Sequence, residues 1–131
     1  MQPTLQTLVK ALQNSWSAET SYDANDWSSE NKARGQCVVS SLVVQDYFGG
    51  DLIRYEVSEG TLRETHYMNK LDDGTIIDTT NSQYATPVGM RLKPANLDGF
   101  TSLRKKRLED ASTADRYELL KKRVAIYLSE E

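Results

Sequence analysis

One apolar segment constrains the fold of this 131-residue chain more than any other feature. Between Cys37 and the pair Gly49-Gly50, apolar side chains fall on nearly every side of a helix: Val38, Val39, Leu42, Val43, Val44, Tyr47 and Phe48. A helix that is apolar nearly all round is buried, so the segment predicts a helix through the centre of the domain. Gly49-Gly50 predicts where it ends, because glycine readily adopts the left-handed conformation at a helix C-terminus.

Cys37 stands at the predicted start of this helix, just after a sharp turn predicted at Gly35. The N-terminal end of a helix carries a positive partial charge, which favours the thiolate, the form of cysteine that attacks carbon. The alternative is that Cys37 is a small buried hydrophobe, as many free cysteines are. The segment alone leaves both interpretations open.

Length and composition limit the classes of function. The chain suits a single domain, residues 1–131. Its net charge of −3 does not indicate a nucleic-acid partner, and no apolar run is long enough to span a membrane. One cysteine allows no internal disulfide and the N-terminus does not resemble a signal peptide, so we expect a cytoplasmic protein. One cysteine and one histidine also argue against a structural zinc site, and we expect no metal or cofactor.

The periodicity of the rest of the chain predicts an α+β fold. An amphipathic helix is predicted over 4–14, strands over 52–57, 65–71 and 75–80, an irregular segment over 81–99, a short helix around the basic cluster 104–107, and a last helix from Ser112. Strands joined by short turns make an antiparallel meander, on one face of which the helices pack.

A long polar loop is predicted over 17–34, with Trp16 before it and Trp27 in its middle. Long ordered loops are often functional, so the two tryptophans are candidate walls of a substrate cleft. They are equally well explained as anchors that pin the loop to the core.

Cys37, His66 and Asp78 are the residues that could carry chemistry. A thiol nucleophile needs an imidazole to take its proton, and the imidazole needs a third group to fix its orientation. The predicted folding places the cysteine at a helix start and the other two on adjacent strands. Taken alone, each residue also has a structural explanation. His66 is explained as a partly buried strand histidine, and Asp78 as a strand-end aspartate that hydrogen-bonds to local backbone.

The turn between the two strands tests this arrangement. If Leu71 pairs with Thr75 around a three-residue loop, Asp78 lies opposite Met68 and within reach of His66 on the same face. A two-residue loop would turn Asp78 to the other face unless a bulge intervened. The hypothesis of a triad therefore predicts an odd-length loop or a bulge.

An oxyanion formed by attack on a carbonyl would need hydrogen-bond donors. The backbone N–H of Cys37 at the helix start is the first candidate. The side chain of Gln36 is a second, and Gln83, just past the third predicted strand, is another polar candidate.

Much of the chain resembles the YunG-like family of small bacterial proteins. The resemblance rests on Trp16, Glu19-Thr20, Trp27, Ala33-Arg34-Gly35-Gln36-Cys37, Leu42-Val43-Val44-Gln45-Asp46, Phe48-Gly49-Gly50-Asp51, His66-Tyr67, Asn69, Leu71, Asp73-Gly74, Asp78, Gln83 and the helical run Arg116-Tyr117-Glu118-Leu119-Leu120. Met68 departs from the family pattern, in which a tryptophan is expected after His-Tyr. The family implies no established activity.

More distantly, the order of a helix cysteine, a strand histidine and a strand aspartate is similar to the core of papain-like and transglutaminase-like proteins. That resemblance implies a cysteine hydrolase or acyltransferase, of peptidase, amidase or deamidase type, acting on a peptide, amide or small-molecule substrate. Likeness of fold does not fix function. The alternatives are an inactive binding module on the same fold and an interaction protein in which Cys37 and His66 are core packing.

Overall fold

The computed structural model describes residues 2–84 and 89–130 and has an α+β fold, as predicted. Its elements run in the order α1 (Leu5–Ser15), α2 (Cys37–Phe48), β1 (Asp51–Glu59), β2 (Leu62–Lys70), β3 (Ile76–Ile77), β4 (Gly89–Lys93), α3 (Leu103–Leu108) and α4 (Ala111–Ser129). Short 3₁₀ turns lie at Ala18–Thr20 and Asn81–Gln83. None of the helices in these two ranges is long and apolar enough to cross a membrane.

Helix α2 occupies the centre of the domain. Residues 39–44 are all buried, which confirms the prediction of a helix that is covered on every side. It begins at Cys37 and ends at Phe48, followed by Gly49 with a φ of +74°, so both predicted boundaries are confirmed. α2 packs against β1 and β2 on one side and against α4 on the other.

The sheet has the strand order β3-β2-β1-β4 and all its pairings are antiparallel. β1 and β2 form a hairpin in which Tyr55 pairs with His66. β4 pairs with the other edge of β1 inside the segment that the sequence predicts to be irregular, of which 85–88 lie outside the described residues. Most β4 side chains are exposed, so this strand depends on main-chain pairing and lacks the buried apolar alternation that predicts a strand.

A polar cluster docks the C-terminal helices against α2. The hydroxyl of Tyr117 on α4 donates to a carboxylate oxygen of Asp46 at 2.5 Å. The guanidinium of Arg104 on α3 donates to the other oxygen of Asp46 at 2.8 Å and to the Tyr117 hydroxyl at 2.9 Å. Charge-assisted hydrogen bonds of this kind fix orientation, so the cluster sets how α3 and α4 lie beside α2.

Candidate active site

A tight turn at Gly35 sets the start of α2 and therefore the position of Cys37. Gly35 has a φ of +73°, a left-handed conformation that favours glycine. A Cβ at this position would lie 2.3 Å from Ser21 Oγ and 2.8 Å from the backbone nitrogen of Asp23. The loop packs this closely because the N–H of Tyr22 donates to the carbonyl of Gly35 at 2.8 Å.

Arg34 fastens the same loop to the sheet. Its guanidinium forms an ion pair with Glu64 on β2 at 2.7 Å and with Asp26 in the loop at 3.1 Å. The Arg34 side chain is largely buried, and a short hydrogen-bonded ion pair of a guanidinium with a carboxylate fixes the relative orientation of the two groups. The turn before Cys37 is therefore held against the strand that carries His66.

The β2–β3 connection has the odd length that the triad hypothesis requires. The N–H of Leu71 donates to the carbonyl of Thr75 at 2.8 Å, so the loop comprises residues 72–74. Asn69 pairs with Ile77, and this register puts the next residue, Asp78, on the same face as His66. β3 is shorter than predicted, and Asp78 follows its last residue directly.

The imidazole of His66 is fully buried and contacted at both nitrogens. Nε2 lies 2.9 Å from each carboxylate oxygen of Asp78. Nδ1 lies 3.3 Å from the amide nitrogen of Gln83 and 3.5 Å from the hydroxyl of Tyr84. The Tyr84 ring also packs edge-on against the imidazole, with the ring centroids 5.5 Å apart.

Asp78 and Cys37 act together on the ionisation of His66. Burial lowers the pKa of His66, but hydrogen bonding to the side chains of Asp78 and Cys37 and the negative charges of both groups outweigh it and raise the pKa to about 9. At neutral pH the imidazole is therefore protonated, with the Asp78 carboxylate against its Nε2. The structure brings these three predicted site residues together.

Gln36 does not join them. Its side chain is fully buried, where its oxygen accepts from Thr20 Oγ1 at 2.8 Å and its nitrogen donates to the Ser17 carbonyl at 3.0 Å. These bonds hold the 3₁₀ turn at Ala18–Thr20 against the start of α2. Since both polar ends of the amide are engaged there, the predicted oxyanion role does not fit this geometry.

The two tryptophans anchor structure instead of walling the cleft beside Cys37. Trp16 is buried, and its Nε1 donates to Ser40 Oγ on α2 at 2.9 Å. The Nε1 of Trp27 donates to the carbonyl of Lys32 at 2.9 Å, which closes the polar loop on itself. Their positions fit the second explanation given for them, that of anchors: Trp16 lies in the core and Trp27 is bonded within its own loop.

Cys37 opens onto a cleft of about 380 Å³. The described residues that line it are Tyr22, Gly35, Cys37, Val38, Arg54, Glu64, Thr65, Tyr67, Gln83, Arg107 and Arg116. Gln83, a predicted candidate, is among them, and its side-chain oxygen accepts from the N–H of Gly35 at 3.3 Å. No cluster of three or more His, Cys, Asp or Glu side chains suited to a metal ion occurs within 2–84 and 89–130.

The contributions of Tyr84 and of the C-terminal helices to the site were not predicted from the sequence. Arg107 belongs to a basic cluster that resembles a solvated helix face, and Arg116 precedes the buried Tyr117 on α4. Tyr84 closes over His66 from the segment after β3. The tertiary packing of α3 and α4 brings Arg107 and Arg116 to this cleft, and the segment after β3 brings Tyr84 to His66.

Comparison with known proteins identifies the family. The model of the family described as YunG protein matches residues 4–129. The chain is 33% identical over 85 residues to the uncharacterized protein YunG of Bacillus subtilis (strain 168), an alignment that covers 65% of this chain and 67% of the relative. No solved structure matches the chain, so a papain-like or transglutaminase-like core has no support from a structural neighbour. By the extent of the family match, the chain belongs to the YunG family.

Proposed function

We propose that this protein is a thiol-dependent hydrolase or acyltransferase that acts on an amide or ester bond. The observation that carries the proposal is the fully buried His66 imidazole, whose Nε2 lies 2.9 Å from the Asp78 carboxylate and whose pKa is raised by Asp78 together with Cys37 at the start of α2. A cleft leads to the same thiol. A nucleophile, a base and an orienting carboxylate in this order are the parts that nucleophilic acyl transfer needs.

In the first step the Cys37 thiolate attacks the carbonyl carbon and a C–S bond forms. The carbonyl π electrons move to oxygen, and the tetrahedral intermediate collapses to a thioester as the C–N or C–O bond breaks. The imidazolium of His66 gives its proton to the leaving nitrogen or oxygen. Since Nε2 faces Asp78, Nδ1 is the nitrogen left to exchange this proton.

In the second step water or an amine attacks the thioester carbonyl while neutral His66 takes its proton. The C–S bond breaks, the acid or new amide leaves, and the thiolate with its imidazolium partner is restored. Asp78 accepts a hydrogen bond from Nε2 throughout and so keeps the lone pair of neutral His66 on Nδ1. Access of water or an amine to the cleft decides between hydrolysis and transfer.

Two groups are candidates to stabilise the oxyanion. The backbone N–H of Cys37 is at the first position of α2, where N–H groups have no partner within the helix. The side-chain amide of Gln83 lines the same cleft, and its nitrogen lies beside His66. Of the two glutamines proposed from the sequence, Gln83 lines the cleft and Gln36 does not.

The analogy with papain-like and transglutaminase-like enzymes is limited to the order of the cysteine, the histidine and the aspartate along the chain.

The competing proposal is a binding module that keeps the fold without the chemistry. The two differ in the behaviour of the thiol, because a nucleophile forms a covalent acyl adduct at a rate that depends on His66, and a binding residue does not.

Acylation by p-nitrophenyl acetate tests the proposal. We expect intact-protein mass spectrometry to show one acetyl group on Cys37, formed much faster in the wild type than in His66→Asn and absent in Cys37→Ser. The matched control is Asp72→Asn, which converts an exposed carboxylate in the β2–β3 loop to a carboxamide. This variant should be acylated at the same rate as the wild type. Equal acylation rates in wild type and His66→Asn would reject the proposed enzyme.

A further inference from the structure

Two arginines in the wall of the cleft each have one buried guanidinium nitrogen without a hydrogen-bond partner among the described residues. The Nε of Arg107 and the Nη1 of Arg116 are buried and make no hydrogen bond with any described residue. Leaving a buried charged donor unpaired costs free energy, and native proteins rarely keep such groups without a role. Arg54, which lines the same cleft, instead donates to the carbonyl of Pro94 at 2.6 Å.

The acidic groups near these arginines are engaged elsewhere. Glu64 lines the cleft but forms its ion pair with Arg34 at 2.7 Å. Asp110 interacts with both arginines through its charge, yet its side chain caps α4 by accepting from the N–H of Thr113 at 2.9 Å. Among the described residues, no carboxylate forms an ion pair with Arg107 or Arg116.

The two arginines line the same cleft as the thiol, and an aromatic ring packs against each of them. The guanidinium of Arg107 lies over the ring of Tyr67 at 6.0 Å, and that of Arg116 over the ring of Tyr22 at 5.6 Å. Burial lowers the pKa of Arg116, the negative charges of Asp110 and Cys37 raise it, and the positive charge of Arg107 lowers it. Two positive charges in the wall of the cleft that also holds the thiol favour the binding of an anion.

We propose that Arg107 and Arg116 bind a carboxylate of the substrate, so that the molecule acylating Cys37 is acidic. This inference rests on the proposed function for the role of the thiol. The planar guanidinium groups match a carboxylate through paired N–H donors, and the cleft has room for a small acidic peptide or a dicarboxylic acid derivative. The carboxylate comes from a chain terminus or from a glutamyl or aspartyl side chain.

Alkylation of Cys37 by two reagents that differ in charge tests the inference. Iodoacetate carries a carboxylate and iodoacetamide does not, so the ratio of their rates reports attraction of an anion to the cleft. We expect the ratio of the iodoacetate rate to the iodoacetamide rate to exceed that of a small free thiol by about tenfold. In Arg107→Met or Arg116→Met the ratio should fall about tenfold, because each variant loses a charge-assisted hydrogen bond to the carboxylate. Arg91→Met, which removes an exposed arginine from β4, should keep the wild-type ratio.

The outcomes separate this inference from the proposed function. A ratio that is the same in all four proteins, with fast alkylation that depends on His66, would reject the carboxylate site and leave the nucleophile standing. Slow alkylation by iodoacetamide that does not depend on His66 would reject the proposed function, and the ratio would still decide whether the arginines attract an anion.

Protection of Cys37 in the wild type needs no variant and identifies the anion. N-acetylglycine presents a terminal carboxylate, N-acetylisoglutamine presents a side-chain carboxylate, and inorganic phosphate presents neither. We expect at least one of the two carboxylates to slow alkylation by iodoacetamide, and the better of them names the source. Protection by phosphate alone, or by none of the three, would overturn the assignment.

Discussion

The Nε2 atom of His66 lies 2.9 Å from both carboxylate oxygens of Asp78, although the two residues come from different sides of a hairpin loop. The pairing depends on the loop 72–74, whose length puts Asp78 on the same face as His66. A shift of one residue in this register would turn the carboxylate away. The geometry of one turn therefore decides whether the imidazole has an orienting partner.

Asp78→Asn should lower the pKa of His66 from about 9 towards the ordinary value of 6.5, because the variant removes a negative charge and the strongest of the hydrogen bonds that favour the imidazolium. His66 is the only histidine in the chain, so an NMR titration of the imidazole protons reads it directly. Asp72→Asn is the control and should leave the titration unchanged. A pKa that stays near 9 in Asp78→Asn would show that Asp78 does not stabilise the imidazolium form of His66.

The stability of the fold should depend on pH through His66. Its pKa is raised in the folded state, so the stabilisation is fully present below about pH 6.5 and is lost as the pH rises to about 9. The contribution is on the order of 3 kcal/mol in the free energy of unfolding. Urea unfolding at several pH values should show this loss in the wild type relative to His66→Asn. Parallel pH profiles for the two proteins would contradict the shift.

Gly35→Ala should damage both stability and the site. The new Cβ would meet Ser21 Oγ and the backbone of the loop, and alanine disfavours a φ of +73°. We expect a loss of about 3 kcal/mol in unfolding free energy and slower alkylation of Cys37, measured on the same samples. Gly74→Ala shares the positive φ but has nothing within 4 Å, so it should cost about 1 kcal/mol and leave alkylation intact.

The parts of the fold that follow from local patterns could be predicted from the sequence. α2 is apolar all round and bounded by Cys37 and a glycine pair, so its burial and its ends follow from periodicity and from glycine conformation. The odd loop that joins β2 and β3 was a condition for the triad, and the structure meets it. β4 carries few buried side chains, so its pairing with β1 left no pattern to detect.

The parts of the site that depend on long-range packing could not be predicted. Gln36 is adjacent to Cys37 in sequence, but its side chain is directed to Thr20 and Ser17 by hydrogen bonds that only the folded loop supplies. Arg107 and Arg116 reach the cleft because the α3–α4 region docks on α2. Clusters of charged residues on helices are usually solvated, so the sequence alone predicts a solvent-exposed position for these arginines.

The alkylation rate of Cys37 by iodoacetamide from about pH 4 to about pH 10, in wild type and His66→Ala, tests the central claim most directly. If His66 activates the thiol, the wild type should react rapidly at about pH 6, and His66→Ala should react slowly until the pH approaches about 8.5, the ordinary value for a free cysteine. Identical profiles that both rise only near that pH would contradict an activated Cys37–His66 pair.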